Sequence, residues 1–396
     1  MFIELHFVQH FAPANLNRDD ANLPKDCDFG GARRARISSQ CFKRAIRTDP
    51  IFATTTEVPN GTRTRFIVRT LRGRLMEAGK AENDATAVAT AFANAYSGGM
   101  DTKRPDQTKV MLYLSTQEVD WVVDQLLAKW DELLTAANSG SDGEAEAGKK
   151  RGRKSRATAA NPASDIAEEL VKQTKERTSA PDIALFGRML ADRPETNIDA
   201  ACQVAHAIST HAVKMDIDYF TAMEELAEPH ETGASQIGTT GFNSACFYRY
   251  LRLDYSKLLE NLKDDGDLAR KTVKGLMLAA EAAIPTGKQN SHAAHNRPSF
   301  MLAVARTPNS AGWSLVNAFE KPVRAQRDSG LVAPSIERLD RYWNNLTRFY
   351  GTQSVAAVAA AFGADLADDV KLSGTLKDAL VPSFDDWVGK MLAALS

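Results

Sequence analysis

"GARRARISSQCFKRAIR", residues Gly31 to Arg47, sets six basic residues into seventeen positions of a chain whose charges otherwise balance. Its second half reads as a helix. Ser38 or Ser39 suits an N-cap, which leaves backbone N–H groups at the helix start facing outward. Gln40, Lys43, Arg44 and Arg47 then recur at three- and four-residue spacing and share one face. Phe42, Ala45 and Ile46 fall on the other face, toward a core. Arg33, Arg34 and Arg36 precede the helix and suit a strand edge or the surface of a neighbouring molecule. Several cations beside a positive helix terminus match the repeating phosphates of a nucleic-acid backbone. A solvated basic face is the plainer alternative that spacing alone leaves open.

Working outward, the rest of the chain makes this cluster notable by contrast. Across 396 residues, 49 basic and 50 acidic side chains give a formal net charge of -1. That excludes a generic polyanion binder, so any nucleic-acid surface must come from local segregation of charge. Hydrophobic residues make up 43% and charged residues 25%, as in an ordinary globular protein of one large or several smaller domains. Cys27, Cys41, Cys202 and Cys246 show no C-x-x-C spacing, which argues against a disulfide framework or a zinc site. The N-terminal MFIELHFVQHF carries Glu4 and His6 and no basic leader, so it reads as a strand rather than a signal peptide. No apolar run approaches the roughly 20 residues of a membrane span. These features predict a soluble, cytoplasmic protein with no membrane partner.

Pattern along the chain predicts an α+β fold. Phe2 to Val8 reads as a first strand, followed by a long polar loop, APANLNRDDANLPKDCDFGG, ending before Ala32. Residues 85–135 turn helical. In EVDWVVDQLLAKWDELL the apolar residues from Val119 to Leu134 form one face. Residues 138–164, NSGSDGEAEAGKKRGRKSRATAANPAS, lack aromatics and read as a disordered basic loop. A helix from Asp165 to about Lys175 and a short core segment, APDIALFGRML, come next. AVKMDIDYF alternates Val213, Met215, Ile217 and Tyr219 against Lys214, Asp216 and Asp218, predicting a half-exposed strand. EPHETGASQIGTTG then reads as a hairpin tip or loop. A strand from Cys246 to Leu253, a helix ending at Pro285, a strand from Phe300 to Val304 and an amphipathic helix stopped by Gly351 complete the pattern.

Catalytic signals are weak. His206 and His211 lie five apart, and His292 and His295 three apart, with no acidic residue at ligand spacing, so no metal or cofactor is expected. Neither a phosphate-cradling G-x-x-x-x-G-K-[ST] loop nor a G-x-S-x-G elbow occurs. Asp19 and Asp20 form a carboxylate pair beside basic residues, fit either for organising a loop or for metal-assisted phosphodiester cleavage. The second basic cluster, Lys149, Lys150, Arg151, Arg153 and Lys154, reads as a localisation signal, an electrostatic tether to nucleic acid, or a solubilising segment.

Read as one block, LNRDDANLPKDCDFGGARRARISSQCFKRAIR closely resembles the N-terminal signature of the CasC family, the backbone subunits of type I-E CRISPR surveillance (Cascade) complexes. PDIALFGRML, AHAISTHAVKMDIDYFTA, GTTGFNSACFYRYLRLD and SLVNAFEKPV follow in the family's order. The resemblance departs in the 138–164 insertion and after Tyr350.

The resemblance implies a hand: a modified RRM-like (ferredoxin-like) palm, a helical fingers insertion and a long β-hairpin thumb. Its expected bounds are palm at 1–60, 181–211 and 244–396, fingers at 61–180, and thumb at 212–243. It implies a non-catalytic subunit that lines up with further copies of itself along a CRISPR guide RNA, with other Cascade subunits and target DNA as partners. Ser38, Gln40, Lys43, Arg44 and Arg47 match the family's backbone-binding helix, and Arg18 and Lys25 the loop before it. Met189 matches an apolar wedge against a base. Val213, Met215, Ile217, Tyr219, Phe220 and Thr221 match the thumb. Lys149, Lys150, Arg151, Arg153 and Lys154 would offer charge to target DNA. No RNP1 aromatic motif is present, so an open stacking sheet is not expected. The rival reading within related families is a type III-like backbone subunit that cleaves RNA with a loop aspartate, for which Asp19 and Asp20 qualify. A standalone single-stranded RNA binder is the third.

Overall fold

In the computed structural model, which describes residues 1–141, 161–175, 178–190, 192–223, 234–325, 330–363, 366 and 370–395, strand β1 (Phe2–Ala14) is buried along most of its length. It lies antiparallel between β9 (Ala234–Asp254) and β10 (Phe300–Arg306), with Val8 opposite Tyr248 and Phe300. The sheet continues outward through β11 (Val355–Phe362) on one side. On the other it passes through β7 (Ala207–Ser209) and β3 (Ala32–Ile37) to β2 (Asp26–Phe29). Strands β6 (Cys202–Val204) and β8 (Asp216–Met223) pair with β9, giving nine strands among the described residues.

Helices cover the central strands on both faces, which is why β1 is buried on both sides, its polar Glu4, His6 and Gln9 included. On one face Phe7 meets Trp387 of α14 (Phe384–Ala393), ring centroids 6.1 Å apart. There the Arg249 guanidinium lies over Phe7 and over Phe42 of α1 (Ser39–Thr48), at 4.8 and 4.2 Å. On the other face Val8, Tyr248 and Leu302 pack with Ile336, Leu339 and Trp343 of α12 (Val332–Tyr350). Glu4 and Arg306 form a fully buried ion pair there. The Glu4 carboxylate also accepts from the Tyr250 hydroxyl and the Trp313 amide, both at 2.8 Å, so its lone pairs are met. Among the described residues the central strands β1, β9 and β10 are thus packed on both faces.

The chain divides into two compact units. The first holds 1–56, 202–256 and 270–396, including α2 (Pro50–Thr56), α11 (Gln289–His292) and α13 (Gly374–Asp378). The second holds 57–201 and 257–269. Its core joins α3 (Ile67–Glu77), α4 (Glu82–Ser97), α5 (Thr116–Ala128), α6 (Trp130–Ser141) and α7 (Pro162–Thr174) around Leu71, Phe92, Val122 and Ile166. It also contains the short pair β4 (Thr62–Thr64) and β5 (Leu112–Leu114), and α8 (Pro181–Phe186). Between β9 and β10 come α9 (Tyr255–Asn261) and α10 (Gly266–Ala282).

Several elements differ from the sequence pattern. The polar stretch after Phe11 is not one loop, since β1 runs to Ala14 and β2 pairs back onto β3. The apolar face read through Leu134 is split at Lys129 into α5 and α6, the former opened by a reciprocal Ser115–Glu118 capping box. Residues 138–141 and 162–164 of the expected loop are helical; 142–160 lie outside the described residues. The strand expected from Cys246 is the end of β9, which already runs from Ala234 through the supposed turn. Residues 181–201 fall in the second unit, where the expected palm boundary put them with the first. No described helix is long and apolar enough to cross a membrane.

Candidate nucleic-acid interface

Helix α1 is built as its spacing requires. The Ser38 hydroxyl caps it, accepting from the Cys41 amide at 3.3 Å, while the Ser38 amide donates to Asn17 Oδ1 at 2.8 Å. Phe42, Ala45 and Ile46 are buried. Gln40 and Arg44 are exposed, and Lys43 and Arg47 half-buried, on the opposite face.

The preceding loop is ordered by its own polar side chains. Asn22, in the left-handed region at φ 66°, accepts from Arg18 Nη1 at 2.7 Å through its Oδ1. The Asp19 carboxylate accepts from the Leu23 amide at 2.9 Å. Buried Asn15 donates to the carbonyls of Asn22 and of Gly241 in β9, tying the loop to the base of the β8–β9 hairpin. Lys25 is held by its backbone, which donates to Asn17 O at 2.8 Å and accepts from the Arg36 amide at 2.9 Å.

These elements line an open cavity of about 420 Å³ that brings Arg18, Asp19, Asp20 and Arg44 together, with Cys41 and Gly287 also in its wall. Burial pushes the Cys41 thiol upward against the pull of Arg44 and Lys25, so it stays protonated rather than nucleophilic at neutral pH. Lys25 and Arg36 line a separate small depression. The local field there is positive: His206 is held below its usual value first by burial and then by Arg36 and Lys25. Gln40, Lys43 and Arg47 line neither hollow.

The remaining arginines of the opening stretch do other work. Arg33 pairs with Asp26 and Asp28 across the β2–β3 turn. Arg34 is fully buried and donates to the carbonyls of Phe29, Ser209, Phe319 and Glu320. Among the described residues no group of three His, Cys, Asp or Glu side chains is placed to hold a metal.

The hairpin is more exposed than its alternation predicted. Strand β8 begins at Asp216, and Met215, Ile217, Tyr219 and Phe220 are 37%, 60%, 73% and 51% exposed, so apolar side chains face solvent on both sides. Thr221 is also exposed. Val213 lies outside the strand, its amide donating to Arg33 O at 3.0 Å and its side chain packing on the first unit's core. The Phe220 ring lies against Gly238 of β9, where a Cβ would sit 2.2 Å from it.

Met189 belongs to the second unit and is 85% exposed. Its loop is rigidly framed. Gly187, at φ 79°, lets the backbone approach Ile198 O, and Arg188 exchanges both backbone hydrogen bonds with Ile198. The buried Arg188 side chain pairs with Glu118 at 2.7 Å. Lys149, Lys150, Arg151, Arg153 and Lys154 lie outside the described residues. Sequence reasoning missed Asn15, Asn17 and Asn22; their signal was the run of Asn in a turn-rich loop, where Asn side chains bond local backbone.

A family model described as CT1975-like protein matches residues 3–388. Two solved structures align over 100% of this chain and 100% of their own. A chain of a "CRISPR RNA-guided surveillance complex, pre-nicking" is 27% identical with a TM-score of 0.78. A chain of a "CRISPR RNA-guided surveillance complex" is 21% identical with a TM-score of 0.60, a likeness of fold. No curated protein matches the chain.

Proposed function

Because this chain belongs to the CT1975-like protein family, we propose that it is the guide-RNA-binding backbone subunit of a type I-E CRISPR surveillance complex. The observation that carries the reading is the Ser38-capped basic helix set beside a groove that joins Arg18 to Arg44. Cations there meet phosphates without reading bases, as a subunit that must hold any guide requires. In this reading the nine-stranded unit is an RRM-like palm, the helical unit the fingers, and β8–β9 the thumb. Copies line up along the guide in the cytoplasm, thumbs kink it, Met189 wedges against a base, and freed bases pair with target DNA. The role is structural, with no catalysis.

The test is co-expression with a guide. A discrete RNA should co-purify with several copies of the chain, and Lys43→Ala with Arg47→Ala should weaken it equally for all spacer sequences and flatten the salt dependence. Loss confined to particular spacers would count against the reading.

One observation favours a second reading, RNA cleavage: Asp19 and Asp20 line the same groove as Arg18 and Arg44. Incubation of the assembled complex with complementary RNA and magnesium separates the two. Cleavage abolished by Asp20→Ala would establish the nuclease; intact RNA leaves the scaffold.

A further inference from the structure

A second concentration of positive charge lies in the first unit, outside the groove that joins Arg18 to Arg44. Lys321, Arg324, Arg338 and Arg341 line a cavity of about 660 Å³ whose described lining includes one carboxylate, Glu337. Arg338 donates to the Lys321 carbonyl, which fixes α12 against the segment that follows Phe319. The basic face then continues along α12. Arg341, Asn345 and Arg348 recur at four- and three-residue spacing and are all exposed. Arg341 and Arg348 are seven residues apart, about 10 Å along the helix.

The stripe ends on an aromatic platform. Phe349 and Tyr350 are 81% and 63% exposed and stand edge to face, 4.9 Å between centroids. Tyr350 rests in turn on Trp313, 6.0 Å away, and Trp313 on the buried Trp343 at 5.8 Å. A core-anchored ring held in solvent beside a row of cations is costly to keep for solubility alone. Among the described residues the groove is lined by four cations against one carboxylate, a balance that suits a polyanion better than a neutral protein surface. Single-stranded nucleic acid uses both features, phosphates on the cations and a base on the ring.

We propose that this groove and the outer face of α12 form a second nucleic-acid surface. It takes the sugar–phosphate backbone of one strand on Lys321, Arg324, Arg341 and Arg348, with a base stacked on Phe349. It shares no residue with the α1 helix and does not rest on the guide-binding reading.

The test uses the full chain carrying Arg324→Gln, Arg341→Gln and Arg348→Gln, all solvent-facing changes, and separately Phe349→Ala. Affinities for labelled oligodeoxythymidine, oligouridine and a DNA duplex are measured across a salt series. Three lost contacts at about 0.7 each should flatten the single-strand slope of log K against log salt by roughly 2. Phe349→Ala should weaken single strands without changing that slope. Whichever oligonucleotide shows the larger effect identifies DNA or RNA as the source. Unchanged slopes on all three probes overturn the proposal, as does an effect on duplex alone or one seen only in the recovery of a protein partner. Adding Arg44→Ala to each variant keeps the outcome separate from the fate of the α1 reading.

Discussion

Arg34 reaches from β3 to the carbonyl oxygen of Phe319, 2.8 Å away and 285 residues along the chain. The same guanidinium holds Ser209 O at 2.9 Å and Glu320 O at 3.0 Å. It thus rivets the hairpin before α1 to the segment that carries Lys321. Arg34→Lys keeps the charge but loses the planar fork, leaving buried carbonyls unmet. A stability loss of about 3 kcal/mol is expected, read as a lower urea midpoint. Arg33→Ala, on the exposed side of the same strand, should leave the midpoint nearly unchanged. Equal losses in the two variants would contradict the rivet.

Ser38 offers a way to separate folding from anion binding. Ser38→Ala removes the cap at the Cys41 amide and should cost about 1 kcal/mol. Ser38→Asp keeps a cap of equal quality while adding a negative charge at the start of the basic face. Its melting temperature should match the parent's while its RNA affinity falls, measured by filter binding at fixed salt. Undiminished affinity in Ser38→Asp would remove the helix start from the binding surface.

The pH profile of stability follows from buried imidazoles. His6 is held at about 4, chiefly by burial, with Arg306 adding to the effect and Glu4 opposing it. His211 is also held at about 4, again chiefly by burial. The unfolded chain takes up these protons first, near 6.5, so stability is full above that value and is lost as pH falls toward 4. His6 alone contributes on the order of 3 kcal/mol across this window. Urea midpoints between pH 7.5 and 4.5 should fall steeply in the parent and less steeply in His6→Gln.

The hairpin should be dispensable for folding and needed for assembly. Ile217→Ser with Tyr219→Ser changes two side chains that are 60% and 73% exposed, so melting should move by no more than about 0.5 kcal/mol. The number of chains bound per guide, weighed by analytical ultracentrifugation, should drop. A variant that assembles in full number would take the hairpin out of the assembly contact.

What the sequence disclosed was mostly local. The α1 face needed only helical periodicity, and Gly351, at φ 77°, ends α12 where its pattern stops. What it concealed depended on distant partners. Arg34 looks like any other cation in a basic run, because its partners are main-chain carbonyls and carry no side-chain signature. Strand β9 was hidden in its first half because Gly, Ser and Thr signal turns locally, while its pairing with β8 and β1 imposes extension. The groove was half legible: Arg18 and Arg44 stood out as cations, but their meeting depends on the Asn15, Asn17 and Asn22 bonds that fold the loop back.

The two-sided exposure of β8 has a consequence for the chain before it meets any partner. Ile217, Tyr219 and Phe220 sit on β8, which among the described residues pairs on one side only, with β9, so its other backbone edge is a template for further pairing. An orphan copy is therefore adhesive, and its hazard rises with its concentration. The same exposed side chains make the isolated chain prone to self-association.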